Sequence, residues 1–153
     1  MENKSRDFLL DWTINYAKNK DTISKKIESI EKEKAGFDLL VRYKDKSQYF
    51  IIMPVIDINL ILQKLKNDVY VSIVALNSNE NLDAVLKNWS RLVNFKLLNI
   101  IFANPFSELD KRWIIFPHTH NKICDGDSLE TGLKSMFEMV EPIEEKQLIA
   151  NIS

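Results

Sequence analysis

The chain has 153 residues, of which 45% are hydrophobic and 28% are charged, and this is the size and composition of one globular domain spanning residues 1–153. Its formal net charge of -1 provides no overall positive field, so contact with nucleic acid or anionic lipid would require a local cluster of cations. The three glycines are too widely separated to form a phosphate-binding loop, which excludes Walker and dinucleotide-binding fingerprints.

The polar N-terminal residues 1–7 lack the apolar run of a signal peptide, and no stretch approaches the length of a membrane span. Cys124 is the only cysteine, so no intrachain disulfide can form. These features predict a cytoplasmic protein with no membrane partner.

Two helices are predicted before the first strand. Leu9, Trp12 and Tyr16 recur at helical spacing and form one apolar face. Isoleucines at similar spacing then predict a second helix, capped by Asp21 and ended by Gly36. These isoleucines are Ile23, Ile27 and Ile30.

The period changes to two after Gly36, which is typical of a strand. Residues 37–43 and 49–56 predict two antiparallel strands joined by a polar turn. Asp57 then caps a helix, and residues 69–76 form an apolar strand. A helical stripe over residues 82–93 leads into a further strand.

The remaining elements complete an α/β fold. Residues 97–103 and 113–116 are predicted strands, residues 117–127 a loop, and residues 129–140 a last helix before a loosely held polar tail from about residue 144. The predicted fold is therefore a mixed sheet of about five strands, an N-terminal hairpin followed by parallel strands, flanked by helices.

The order of elements over residues 5–103 resembles that of the PD-(D/E)XK nuclease-like superfamily, which includes Mrr-type and Holliday-junction-resolvase-type proteins. The resemblance rests on an Asp-bearing strand, residues 35–41, followed by a tight turn, a buried strand, a helix, a strand and a helix. It implies a restriction-endonuclease-like fold, in which Asp38 would occupy the first metal-binding position.

The family also places a Glu-x-Lys motif on the next strand, where its carboxylate and the first Asp hold the divalent metal that activates water. Residues 49–56 contain neither a carboxylate nor a lysine. Asp38 is therefore expected to be vestigial, and the competing interpretation is a strand residue beside a turn that points outward while Phe37 and Leu39 point inward. The function expected from the resemblance is a catalytically inactive binding or regulatory module, associated with nucleic acid. Glu28, Glu31 and Glu33 are interpreted either as a substitute helix carboxylate or as a solvated helix face.

A second hypothesis concerns the loop that contains both histidines of the chain. His118 and His120 would point the same way on an extended segment, and Asp125 and Asp127 follow closely. These four side chains are candidate ligands for a divalent metal, and the alternative function is a metal-dependent hydrolase. The competing interpretation is a loop whose aspartates start the next helix. No other cofactor is expected.

Cations occur in three separate clusters: Lys18, Lys20, Lys25 and Lys26; Lys44 and Lys46; and Lys111 and Arg112. Each is interpreted as solvated surface or as a nucleic-acid contact.

Trp12 and Trp89 lie on apolar helical stripes, whereas Trp113 adjoins charged residues and is expected to be the most exposed tryptophan. A homodimer is expected because two-fold dimers are the commonest oligomers, and a third hypothesis is a protein-interaction subunit with an exposed apolar patch.

Overall fold

The computed structural model describes residues 3–153, so the first two residues of the polar N-terminal segment lie outside the described residues. The helices are α1 (Lys4–Lys20), α2 (Ile58–Lys64), α3 (Asn79–Lys87), α4 (Trp89–Leu92), α5 (Pro117–Ile123), α6 (Gly126–Phe137) and α7 (Glu145–Ile152). The strands are β1 (Ile27–Lys34), β2 (Phe37–Tyr43), β3 (Ser47–Ile52), β4 (Tyr70–Leu76), β5 (Leu98–Ala103) and β6 (Arg112–Ile115).

The strands form one mixed sheet in which their spatial order follows the sequence. Strands β1, β2 and β3 are an antiparallel meander, β3, β4 and β5 are parallel, and β6 returns antiparallel to β5. The α/β class, the mixed sheet and the antiparallel pairing of β2 with β3 are confirmed, with six strands in place of about five.

Each face of the sheet has its own apolar core. Helices α2 to α6 cover one face, where Ile73, Ile100 and Phe102 lie among their buried side chains. The opposite face is covered by α1 and α7, and we call the apolar cluster there the α1-side core. This core contains Leu9 and Leu10 of α1. Neighbouring residues of the central strands point to opposite faces, so almost every residue of β4 and β5 is buried.

Helix α1 is the longest helix within residues 3–153, at 17 residues. Its N-cap is Asn3, whose side chain accepts the backbone N–H of Arg6 at 3.0 Å. In the described part of the chain, no helix has both the length and the apolar character needed to cross a membrane.

The predicted second helix is wrong, because residues 27–34 form strand β1. A bulge between Ile27 and Ser29 shifts the pairing with β2 by one residue. Ile27 and Ile30 therefore both pack against the α1-side core although they are three residues apart. The bulge thus produces a helix-like spacing in a strand. The predicted N-cap role of Asp21 is wrong as well: Asp21 is the C-cap residue of α1, and its carboxylate accepts the backbone N–H groups of Lys26 and Ile27 at the start of β1.

Gly36, predicted to end a helix, belongs to the tight turn between β1 and β2. Lys34 pairs with Phe37, and the two residues between them, Ala35 and Gly36, have φ angles of 56° and 83°. Positive φ at both central positions defines the type I′ turn, whose twist matches that of the flanking strands.

The C-terminal region also differs from the prediction. Pro117 begins helix α5 where a loop was expected, since its fixed φ and missing N–H suit the first helical position. The predicted polar tail from residue 144 is the helix α7, which has a capping box between Glu144 and Gln147. Leu148 is fully buried in the α1-side core, and the Ser5 hydroxyl donates to Glu145 at 2.5 Å. The tail is therefore docked on the sheet beside α1.

Candidate functional site

Asp38 lies on β2 and both of its carboxylate oxygens accept hydrogen bonds. The Arg6 guanidinium of α1 donates to Oδ1 at 2.6 Å, and the backbone N–H of Ile52 donates to Oδ2 at 2.7 Å. The second bond continues the contact between β2 and β3 beyond their last ladder pair. Through these two hydrogen bonds, Asp38 links α1 and the end of β3 to β2.

A metal ion does not fit this arrangement. Partial burial alone would lower the pKa of Arg6, but the hydrogen bonds to Asp38 and Asp7 outweigh it, so the Arg6 pKa lies above its ordinary value. The guanidinium thus stays charged and holds the position that a cation would need. No second carboxylate joins Asp38 from β3. Among the described residues, no group of carboxylates, histidines and cysteines at Asp38 could hold the divalent metal that the resemblance implies.

Replacing Asp38 with alanine should destabilise the fold by about 1–3 kcal/mol, because the Ile52 N–H and the Arg6 guanidinium lose their shared acceptor. Urea denaturation measures this change. Asp11→Ala is the control, since its exposed carboxylate contacts Lys32 at only 4.0 Å, and its effect should be within about 0.5 kcal/mol. Unchanged stability together with loss of a metal-dependent cleavage activity would show that Asp38 is catalytic.

The glutamates proposed as a substitute helix carboxylate lie on β1, so the helical interpretation of them is wrong. Glu31 accepts from Arg42 at 3.0 Å across the β1–β2 pair, and Glu33 lies 3.7 Å from Arg6. Both carboxylates therefore pair with arginines on the outer part of the sheet.

The two histidines lie on α5, and residues two apart on a helix do not share a face. His118 Nδ1 is 2.8 Å from the carbonyl oxygen of Val93, and His120 Nδ1 is 3.0 Å from the carbonyl oxygen of Phe116. The prediction that both side chains point the same way is wrong, because it assumed an extended chain.

Asp125 is the N-cap of α6, and Asp127 lies in the first turn of that helix. Hydrogen bonds from the Ser128 hydroxyl and backbone N–H lower the pKa of Asp125. Within residues 3–153, no group of three or more His, Cys, Asp and Glu side chains is placed to hold a metal ion. Both aspartates instead lie at the start of α6, as the competing interpretation predicted.

The carboxyl ends of parallel strands are the usual ligand site of an α/β sheet, but here that end is closed by asparagines. The side chain of Asn77 bonds the carbonyl oxygens of Phe137 and Val140 and the Trp113 indole, and Asn81 bonds three backbone groups. Asn104 also has both amide atoms paired. Since these amide groups are satisfied internally, they leave no unpaired side-chain donor or acceptor for a ligand directly after β4 and β5.

The amino ends of the same strands, by contrast, border a cavity that contains polar side chains. Gln48, Ser72 and Asn99 come from β3, β4 and β5 and line one cavity of about 190 Å³ beneath the last turns of α1. We call this cavity the polar pocket. Gln48 donates to Ser72 at 2.6 Å, but within residues 3–153 neither the buried Oδ1 of Asn99 nor the buried hydroxyl of Tyr16 in the pocket wall has a hydrogen-bond partner. Unpaired buried polar atoms are rare and mark places that a ligand or water completes.

A larger cavity of about 550 Å³ adjoins the polar pocket and shares Tyr16 and Lys20 with it. We call it the aromatic–cationic groove, and its other charged residues are Lys111 and Arg112. Trp12 and Tyr16 stack with centroids 5.4 Å apart, and the Arg112 guanidinium lies 4.9 Å from the Tyr16 ring. The groove therefore combines flat ring surfaces with fixed positive charges.

The structure brings members of all three predicted cation clusters to this region. The groove, the polar pocket and a third adjoining cavity are lined by five cations and two carboxylates. The cations are Lys20, Lys26, Lys46, Lys111 and Arg112, and the carboxylates are Asp21 and Asp45. Five cations against two carboxylates give this region a positive charge in a chain of net charge -1.

The prediction that Trp113 is the most exposed tryptophan is wrong. Trp113 is only 4% exposed, stacks on Phe102 at 4.3 Å and donates to Asn77 at 2.7 Å. Trp12 instead is partly exposed and lines the groove. The sequence signal available for the groove was the i, i+4, i+8 row of Trp12, Tyr16 and Lys20, which puts two rings and a cation along one line of a helix.

Comparisons of the chain with protein-family models, with curated proteins and with solved structures give no significant match. The resemblance to PD-(D/E)XK nuclease-like proteins therefore stays a prediction.

Proposed function

We propose that this protein is a non-catalytic, nuclease-like binding module that holds single-stranded nucleic acid in the aromatic–cationic groove. The observation that carries the proposal is the meeting of cations from three distant chain segments around the stacked rings of Trp12 and Tyr16. Cations that follow a backbone and rings that stack on bases are the two requirements for such binding.

A single strand suits the groove better than a duplex. The rings project from α1 into a concave surface, and a base must be unpaired from its partner strand to reach them. Binding without cleavage is expected, since Asp38 is held by Arg6 and Ile52 and has no partner carboxylate on β3.

The test is fluorescence anisotropy with labelled single strands and duplexes of DNA and RNA at two salt concentrations. The variant Lys20→Glu with Lys46→Glu reverses two exposed cations of this region. We expect it to weaken single-strand binding at least about tenfold and to reduce the slope of log K against log salt by about 1.4, that is about 0.7 for each lost phosphate contact.

Lys66→Glu with Lys87→Glu is the matched control, because it changes the net charge by the same amount at exposed positions outside the groove and the adjoining cavities. This variant should bind nearly as the parent does. Equal losses in both variants would mean that net charge alone governs binding, and absence of binding in the parent would refute the proposal.

A further inference from the structure

The polar pocket has the size of one base. Its volume of about 190 Å³ corresponds to roughly six water molecules at ~30 Å³ each, which accommodates a single heterocyclic ring system. A strand lying in the groove therefore has room beside it for one inserted base, with sugar and phosphate left outside.

The walls of the pocket suit a flat ligand. Rings from three elements line it, namely Tyr16 of α1, Tyr43 of β2 and Phe50 of β3, together with Phe116 after β6. Aromatic side chains bind the faces of any base by stacking, which gives affinity without choosing the sequence.

The polar atoms of the pocket can discriminate between bases through their hydrogen bonds. Asn99 Oδ1 is a buried acceptor without a donor, and the Tyr16 hydroxyl is a buried group without a partner that can donate to a carbonyl. The edge that complements both atoms presents an N–H beside a carbonyl oxygen. Thymine and uracil present this edge on a single ring. Guanine presents it only as part of a larger two-ring base, and the ring nitrogen of cytosine at the same position is an acceptor that would face Asn99 Oδ1 unfavourably.

We infer that the polar pocket receives one unpaired thymine or uracil base from a strand whose phosphates follow the groove, with Asn99 and Tyr16 reading its edge. This inference rests on the proposed function. The two cavities share Tyr16 and Lys20, so one nucleotide can contact both.

The experiment compares binding of oligothymidylate and oligocytidylate of equal length to the unaltered protein. A missing or mismatched hydrogen bond at a buried acceptor predicts a preference for thymidylate of about tenfold. Oligothymidylate methylated at N3, which keeps the ring but loses the N–H, should bind about as weakly as oligocytidylate. Equal affinity for all three strands overturns the inference and leaves the proposed function standing, whereas no binding of any strand overturns both.

The variant Asn99→Leu tests the assignment of the residue. It should reduce the thymidylate preference to within about twofold and keep the salt dependence, because the phosphate contacts are unchanged. Asn94→Leu, at an exposed position after α4, should retain the full preference. A preference that persists in Asn99→Leu would show that the base edge is not read by this side chain.

Discussion

Replacing Asn77 with leucine is expected to lower the free energy of unfolding by about 3 kcal/mol or more. The Asn77 side chain is fully buried and makes three hydrogen bonds, to the carbonyl oxygens of Phe137 and Val140 and from the Trp113 indole at 2.7 Å. Leucine fills the space but leaves these three groups unpaired in the interior, and each unsatisfied group costs about 1–3 kcal/mol.

The position of Asn77 explains why the effect should be global. It follows the last residue of β4, and its own backbone carbonyl accepts from Ile143 at 2.9 Å. It thereby joins the sheet, the end of α6 and the segment that leads into α7. Urea denaturation should show a lower midpoint with an unchanged slope.

Asn94→Leu provides the matched control for this change. Asn94 is exposed and makes one long hydrogen bond of 3.4 Å to the Ser90 carbonyl, so its replacement should alter stability by no more than about 0.5 kcal/mol. Similar effects at both positions would contradict the role given to Asn77.

Leu148→Ala in α7 should destabilise the protein by about 2–5 kcal/mol, the range for removing a buried leucine side chain from a packed core. Leu148 is fully buried in the α1-side core, although it lies only five residues from the end of the described chain. Chemical denaturation measures the loss, and limited proteolysis should cut the variant first near α7.

The neighbouring Ile149→Ala is the control, because Ile149 is 38% exposed and loses much less apolar contact on truncation. Its expected effect is below about 1 kcal/mol. If Leu148→Ala were as mild as Ile149→Ala, the segment would be loosely attached, as its polar composition first indicated.

The central part of the fold was predictable because its signals are local. The apolar runs of β3, β4 and β5 and the capped helices between them gave the parallel crossovers correctly. Strand β1 was missed because its bulge gives two isoleucines a helical spacing. Helix α5 was missed because Pro117 is equally typical of a loop and of a first helical position.

The candidate site was less predictable because it depends on tertiary contacts. Each cation cluster looked like ordinary surface, and only the packing of α1 over the sheet brings Lys20 close to Arg112 and Lys46. Asp38 carried the resemblance, but its neighbours Arg6 and Ile52 come from other parts of the fold. The pairing state of a buried amide such as Asn99 likewise depends on residues that sequence spacing does not identify.

Helix α1 carries two rows of side chains with a four-residue repeat. Leu9, Thr13 and Ala17 are buried against the sheet, and Trp12, Tyr16 and Lys20 line the groove. Under the proposed function the second row contacts the ligand, but Trp12 and Tyr16 also pack against the α1-side core. Exchanging these two rings would therefore change ligand preference and stability together, whereas an exchange of the exposed Lys20 would leave the core contacts unchanged.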